Sequence, residues 1–183
     1  MTSPSPEDAH VQQGRFAPQT VLLQSVPRSP HPADRSSPVT SVNITKQHPD
    51  VYEQIASLSG AAEAAAAAAG LDARLVELVK IRVSQLNGCA FCIRLHSRDA
   101  VGLGETADRL AVLPAWWESQ YFSEVETAAL GLAEEVTKLA ASPRAHWNTG
   151  ALTDAQVSAV TWLAIVMGAW NRVAIRSGYR VAP

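Results

Sequence analysis

Eight of the eleven prolines fall within the first fifty residues, and this asymmetry divides the 183-residue chain in two. Pro4, Pro6, Pro18, Pro27, Pro30, Pro32, Pro38 and Pro49 each fix a backbone angle and remove an amide donor, so no long helix or sheet ladder can run through them. Serine is dense there as well, and Val21-Leu22-Leu23 is the one apolar cluster. Such a stretch cannot bury enough apolar surface to offset its ordering entropy. Residues 1–44 are expected to form a flexible extension and residues 45–183 a folded domain. His10, His31 and His48 are irregularly spaced and read as solvated side chains, not ligands.

Beyond Pro49 the punctuation is that of helices. No proline interrupts Val51 to Ala69, the segment from Ala61 to Ala69 is nearly all alanine, and Gly70 ends it. Asp72 is placed to cap a helix whose Leu75, Val79, Val83 and Leu86 share one face, and Gly88 stops that helix. A new helix is expected from Cys89 to Gly102. A short turn over Ala107–Leu113 should end at Pro114, leaving Trp116, Trp117, Tyr121 and Phe122 in an aromatic-rich connection. Ser123 with Glu126 and Thr153 with Gln156 are capping boxes, opening helices to about Ala140 and to Ser177. No window alternates with period two for long enough to make a strand, and no internal repeat is evident. The fold class is all-α.

Composition narrows the function. With 47% hydrophobic and 17% charged residues the chain can bury a core. Fifteen basic against seventeen acidic side chains leave a formal charge of −2, so no basic excess exists to neutralise phosphates and no nucleic-acid partner is expected. The longest uncharged stretch, Ala155 to Asn171, is broken by Gln156, Ser158 and Thr161 and is short for a membrane span. It reads as a buried or interface helix, with no membrane partner. The opening MTSPSPEDAH lacks the positive charge and apolar run of a signal peptide, which gives a cytoplasmic expectation.

The two cysteines, Cys89 and Cys92, lie in Asn87-Gly-Cys-Ala-Phe-Cys-Ile-Arg-Leu-His96. On a helix beginning at Cys89, the residues Cys89, Cys92 and His96 stand at i, i+3 and i+7 and project from one face. Cys89 in the first turn meets free amide N–H groups and the positive end of the helix dipole, which favour a thiolate. Cys92 is one turn from His96, which can take its proton. Two thiols so placed suit peroxide reduction: one becomes a sulfenic acid and the other resolves it to a disulfide. Three other readings stay open on the residues alone. A structural disulfide closing so small a loop gains only about 2 kcal/mol. Zinc could take Cys89, Cys92, His96 and Glu77, although structural zinc usually draws two separated ligand pairs. The cysteines could also be inert and buried. The histidine at i+4 from Cys92 moves the balance toward redox chemistry.

Glu77, eleven intervening residues, Cys89-x-x-Cys92, three residues and then His96 resembles the signature of the carboxymuconolactone decarboxylase superfamily in its AhpD-like alkylhydroperoxidase branch. The run Arg82-Val-Ser-Gln-Leu-Asn-Gly-Cys-Ala-Phe-Cys is similar to single-domain members, as are Leu110 to Trp116, Phe122-Ser-Glu-Val-Glu126 and Ala169-Trp-Asn-Arg-Val173. The resemblance covers about residues 45–180 and implies an AhpD-like helical bundle that assembles into a homo-oligomer, a trimer or hexamer. It implies a thiol-dependent peroxidase with no metal and no organic cofactor, taking a peroxide substrate and a thiol reductant or carrier protein. By this resemblance Cys92 attacks, Cys89 resolves, His96 is the activating base and Glu77 belongs to a proton relay reaching Cys89. The residues alone also pair Cys92 with His96 but mark Cys89 as the more acidic thiol. The founding hydroperoxidase has a second histidine between the cysteines, where this chain has Phe91. That implies a shorter relay and slow turnover, and makes a redox-sensing or disulfide-exchange protein the rival reading. The decarboxylase branch lacks the cysteine pair, so lactone chemistry is not expected.

Glu77 is two residues from both Leu75 and Val79, hence off the apolar stripe, and its burial must come from the next helix or an oligomer contact. Trp162 and Trp170 lie eight apart on the last helix and read as core or subunit interface. Trp116 and Trp117 read as core residues, with a wall of the thiol pocket as the alternative. His146 beside Trp147 reads as structural or exposed, and Asn171 and Arg172 as structural.

Overall fold

A computed structural model describes residues 42–140 and 149–182. The expected extension up to residue 41, and His146 with Trp147, lie outside them. The α-helices are α1 (Ile44–Gln47), α2 (Pro49–Ala68), α3 (Ala73–Asn87), α4 (Ala90–Gly102), α5 (Ala107–Val112), α6 (Glu124–Lys138) and α7 (Asp154–Arg176). Short 3-10 helices span Leu113–Glu118 and Thr149–Ala151. Among the described residues there is no strand, and the all-α expectation holds.

The caps read from the sequence are the caps observed. Asp72 accepts the Arg74 amide, and both capping boxes close reciprocally, Ser123 with Glu126 and Thr153 with Gln156. The segment after α5 departs from expectation. The α-helix does end before Pro114, at Val112, as expected; Pro114 then takes an N-terminal place in a short 3-10 segment, where its missing donor costs little, and that segment is kinked at Ala115. Trp116 and Trp117 therefore sit on a helix, not in a loop. Trp116 packs with Leu78, Ile81, Leu113 and Leu130, and neither tryptophan reaches the cysteines' cavity.

α3 is the central helix. Leu75, Val79 and Val83 pack into one cluster with α2, α6 and α7, while Leu78 and Ile81 pack into a second with Leu113, Trp116 and Phe122. A helix apolar on opposite sides must be buried between layers, and every residue from Glu77 to Ser84 is buried. Its polar residues are then tolerable only with partners, and each has one: Glu77 and Lys80 bond each other, Arg82 bonds Glu134, and Ser84 donates to the Lys80 carbonyl. α7 is long and apolar enough to cross a membrane by length and composition alone, but here over half of that window is buried against the other helices.

Gly88 joins α3 to α4 in a single left-handed residue, φ 69°, and the next amide, Cys89 N–H, bonds back to the Ser84 carbonyl at 3.0 Å. A Cβ there would meet open space, so the cost of Gly88→Ala is conformational alone. It is expected to lower stability by about 1–2 kcal/mol, read as a shifted denaturant midpoint with unchanged slope.

Candidate active site

The one-residue turn at Gly88 makes Cys89 the N-cap of α4 and sets Cys92 in its first turn. The helix thus begins one residue later than expected, and Cys89 meets the free amides as a cap: its Sγ accepts the Cys92 N–H at 3.4 Å. Both cysteines are free and buried, Cys89 1% and Cys92 4% exposed. They differ in outlook. Cys92 lines a cavity of about 520 Å³ with Phe91, His96, Lys80, Trp170 and Tyr179, whereas Cys89 does not border it. Burial pushes the Cys92 thiol up to about 12, helped by its hydrogen bond to Cys89 and opposed by the side chain of Asn171.

His96 takes Glu77, not a sulfur, as its hydrogen-bond partner. Its Nδ1 lies 2.8 Å from Glu77 Oε2, and among the described residues no hydrogen bond joins it to Cys92. α4 is therefore what buries Glu77, settling the alternative left open by its position off the stripe. Glu77 Oε1 accepts from Lys80 Nζ at 2.8 Å, and Lys80 reaches Glu63 Oε1 at 2.6 Å, so a charged chain runs from His96 to half-exposed Glu63 on α2. Burial pushes the Glu77 carboxyl up, but the hydrogen bonds from His96 and Lys80 outweigh it and hold the group below its usual range. An ionised Glu77 is an acceptor for His96 Nδ1–H, and His96 itself lines the cavity.

The four expected residues thus meet in two pairs, Cys89 with Cys92 and Glu77 with His96, and one member of each pair, Cys92 and His96, lines the same cavity. Among the described residues the donors close enough to share one metal ion are Glu77, His96 and Asp99, with neither sulfur among them. The four-residue zinc set is not assembled, and the Lys80 ammonium against Glu77 opposes a cation there. Sequence reasoning missed Lys80 and Glu63. The signal was a lysine inside the apolar run Leu78-Val79-Lys80-Ile81, three residues after Glu77.

Residues 49–135 match the carboxymuconolactone decarboxylase family, and 38% identity over 115 residues links the chain to the uncharacterized protein YdfG of Bacillus subtilis, over 58% of this chain and 75% of that one. The chain belongs to the carboxymuconolactone decarboxylase family. The matched segment carries α2, α3 and α4, hence Glu63, Glu77, Lys80, both cysteines and His96. A crystal structure of a protein of unknown function from Agrobacterium tumefaciens, described as a candidate antioxidant defence protein AhpD, is similar with a TM-score of 0.69 and 26% identity. It aligns over 78% of this chain and 98% of that one, so the helical arrangement is shared across nearly the whole neighbour.

Proposed function

We propose that this family member is a thiol-dependent peroxidase that reduces hydrogen peroxide or organic hydroperoxides at Cys92 and Cys89. The observation that carries the reading is the pair of free thiols at one helix N-terminus with Cys92 facing the cavity shared with His96. His96 Nε2 takes the Cys92 proton, and the thiolate attacks the hydroxyl oxygen of the peroxide. An S–O bond forms, the O–O bond breaks, and the departing alkoxide or hydroxide takes the proton back from His96. Cys89 then attacks the sulfenic sulfur of Cys92, and the hydroxide expelled leaves with the Cys89 proton as water. A dithiol carrier or small thiol reduces the disulfide and is itself oxidised. The antioxidant description of the Agrobacterium neighbour supports the same chemistry. A cytoplasmic setting and assembly into a trimer or hexamer belong to this proposal. Trp162, 46% exposed, lies with Ile165 and Ile175 on the outer face of α7 and offers apolar surface for such assembly.

The test is a count of free thiols before and after one equivalent of peroxide. Loss of two thiols per chain supports the reading. Thiols that persist, or that react no faster than in the unfolded chain, leave disulfide exchange with a protein partner as the better account.

A thiol held near 12 is almost wholly protonated at neutral pH, so the reaction depends on an internal proton acceptor. His96→Ala is expected to slow peroxide consumption at pH 7 by about a hundredfold or more. Below the thiol's pKa each added pH unit raises the thiolate fraction tenfold, so the variant's rate should climb steeply with pH and close on the flatter wild type. Parallel pH profiles for the two proteins would remove His96 from the proton transfer.

A further inference from the structure

Lys80 carries a charge into the apolar middle of α3, and the peroxidase steps do not use it. Only 8% of it is exposed, and a lysine so buried is tolerated where carboxylates meet its ammonium. Two do: Glu63 Oε1 on α2 at 2.6 Å and Glu77 Oε1 on its own helix at 2.8 Å. Burial pushes the Lys80 ammonium down, but its bonds to Glu63 and Glu77 outweigh that and keep it charged. A tie between α2 and α3 would need Glu63 alone. The bond to Glu77 reaches further, because Glu77 spends its other oxygen on His96 Nδ1, also at 2.8 Å. One carboxylate thus stands between a fixed cation and an imidazole, with one oxygen for each.

The hydrogen between Glu77 and His96 can belong to either. On the carboxyl, it would make Nδ1 the acceptor, and the neutral ring would carry its own hydrogen at Nε2. A ring in that form cannot take a proton at Nε2. On the imidazole, it leaves Nε2 with its lone pair. Burial of Glu77 favours the first arrangement, and the Lys80 ammonium favours the second.

We propose that Lys80 is a positioning residue for the base: its ammonium, held on Glu77 Oε1, keeps that carboxylate ionised, so that the hydrogen toward His96 stays on Nδ1 and Nε2 remains open to the Cys92 proton. The inference rests on the reading of His96 as the group that takes that proton. The other charged groups around the pair are more exposed. Glu63, its side chain 48% exposed, offsets part of the Lys80 charge from α2, and Asp99 Oδ2 on α4 lies 3.8 Å from His96 Nδ1 with its side chain half-exposed. The α7 side chains bordering the same cavity, Leu163, Val166, Met167, Trp170 and Ala174, carry no charge. Taking away a cation beside a carboxylate–imidazole pair raises the pair's affinity for a proton, and taking away an anion that offsets that cation lowers it.

The test is nitrogen-15 NMR of the His96 ring across pH, in the full chain with both thiols reduced. No peroxide is involved, so the outcome is separate from whether peroxides are the substrate. In Lys80→Met the pH at which Nε2 gains a proton is expected to rise by about one unit or more, the usual effect of losing a neighbouring charge. In Glu63→Gln it is expected to fall by about a few tenths of a unit, because the ammonium then bears on Glu77 alone while solvent screens much of the change. The opposite signs distinguish the proposal from a structural tie, which either substitution breaks and which would move the ring the same way in both. A folded Lys80→Met protein with the wild-type value, or shifts of one sign in the two variants, overturns the proposal. Glu63 is half-exposed, so Glu63→Gln covers the case in which Lys80→Met does not fold. An unchanged or raised value in that protein also overturns the proposal.

Discussion

Cys92→Ser is expected to abolish peroxide-dependent thiol loss, lowering the rate on the order of a thousandfold or more, as removal of a covalent nucleophile does. Cys89→Ser is expected to leave the first step intact and to stop after one turnover. The asymmetry follows from position: Cys92 borders the cavity, while Cys89 sits behind it as the helix cap. Serine is itself a favoured N-cap, so Cys89→Ser should keep α4 in place. The sulfenic acid left on Cys92 would then persist and be trapped by a 1,3-diketone reagent, with mass spectrometry placing the adduct. The reverse pattern, with the adduct on Cys89 of Cys92→Ser, would give the attack to the thiol that the helix N-terminus favours. That assignment has physical merit, because Cys89 Sγ accepts the Cys92 amide while burial and Cys89 push the Cys92 thiol up to about 12. Access and the helix N-terminus point to different sulfurs here, and the expectation follows access because a peroxide must touch the atom that it oxidises.

Glu134→Ala is expected to produce a large loss of stability. The carboxylate is 0% exposed and accepts from Arg82 Nε at 2.8 Å and Nη2 at 2.7 Å, from Trp116 Nε1 at 2.9 Å and from Lys138 at 2.6 Å. Its removal leaves the nearly buried Arg82 guanidinium without its carboxylate, a loss of about 3–5 kcal/mol. For a chain of this length that corresponds to a fall of roughly 10 °C in melting temperature. The same residue sets an acid limit. Burial pushes the Glu134 carboxyl up, but its bonds from Lys138, Trp116 and Arg82 hold it below its ordinary value of 4.5. A carboxyl depressed in the folded state contributes stability above its unfolded value, and that contribution is lost as pH falls through the folded one. Wild type should therefore lose stability below about pH 4.5 more steeply than Glu134→Gln, measured as melting temperature against pH. Equal slopes would mean that other carboxyls set the acid limit.

Much of the local structure was legible because helix signals act over three or four residues. Asp72, Ser123 and Thr153 cap what they were expected to cap, and Gly88 turns the chain with its left-handed φ. At Pro114 the stop of α5 was legible, but the short 3-10 segment beyond it was not, because proline is also well tolerated in the first turn of a new helix. Lys80 escaped notice because a lysine on a helix is usually solvated, and only the wrapping of α2 and α4 around α3 shows that this one is not.

The sequence by itself determined the all-helical class and the placing of Cys89, Cys92 and His96 over about two turns at the start of α4. Those facts follow from backbone hydrogen bonding and a fixed rotation per residue, which neighbours in the chain settle among themselves. Tertiary structure decided the partners. It turned His96 to Glu77, extended that pair through Lys80 to Glu63, faced Cys92 toward the cavity and Cys89 away from it, and brought Asn171 to Ser84 and Asn87 across separations of 87 and 84 residues. Such meetings depend on how whole helices pack, a property of summed burial over many side chains, and no spacing within a single helix encodes them.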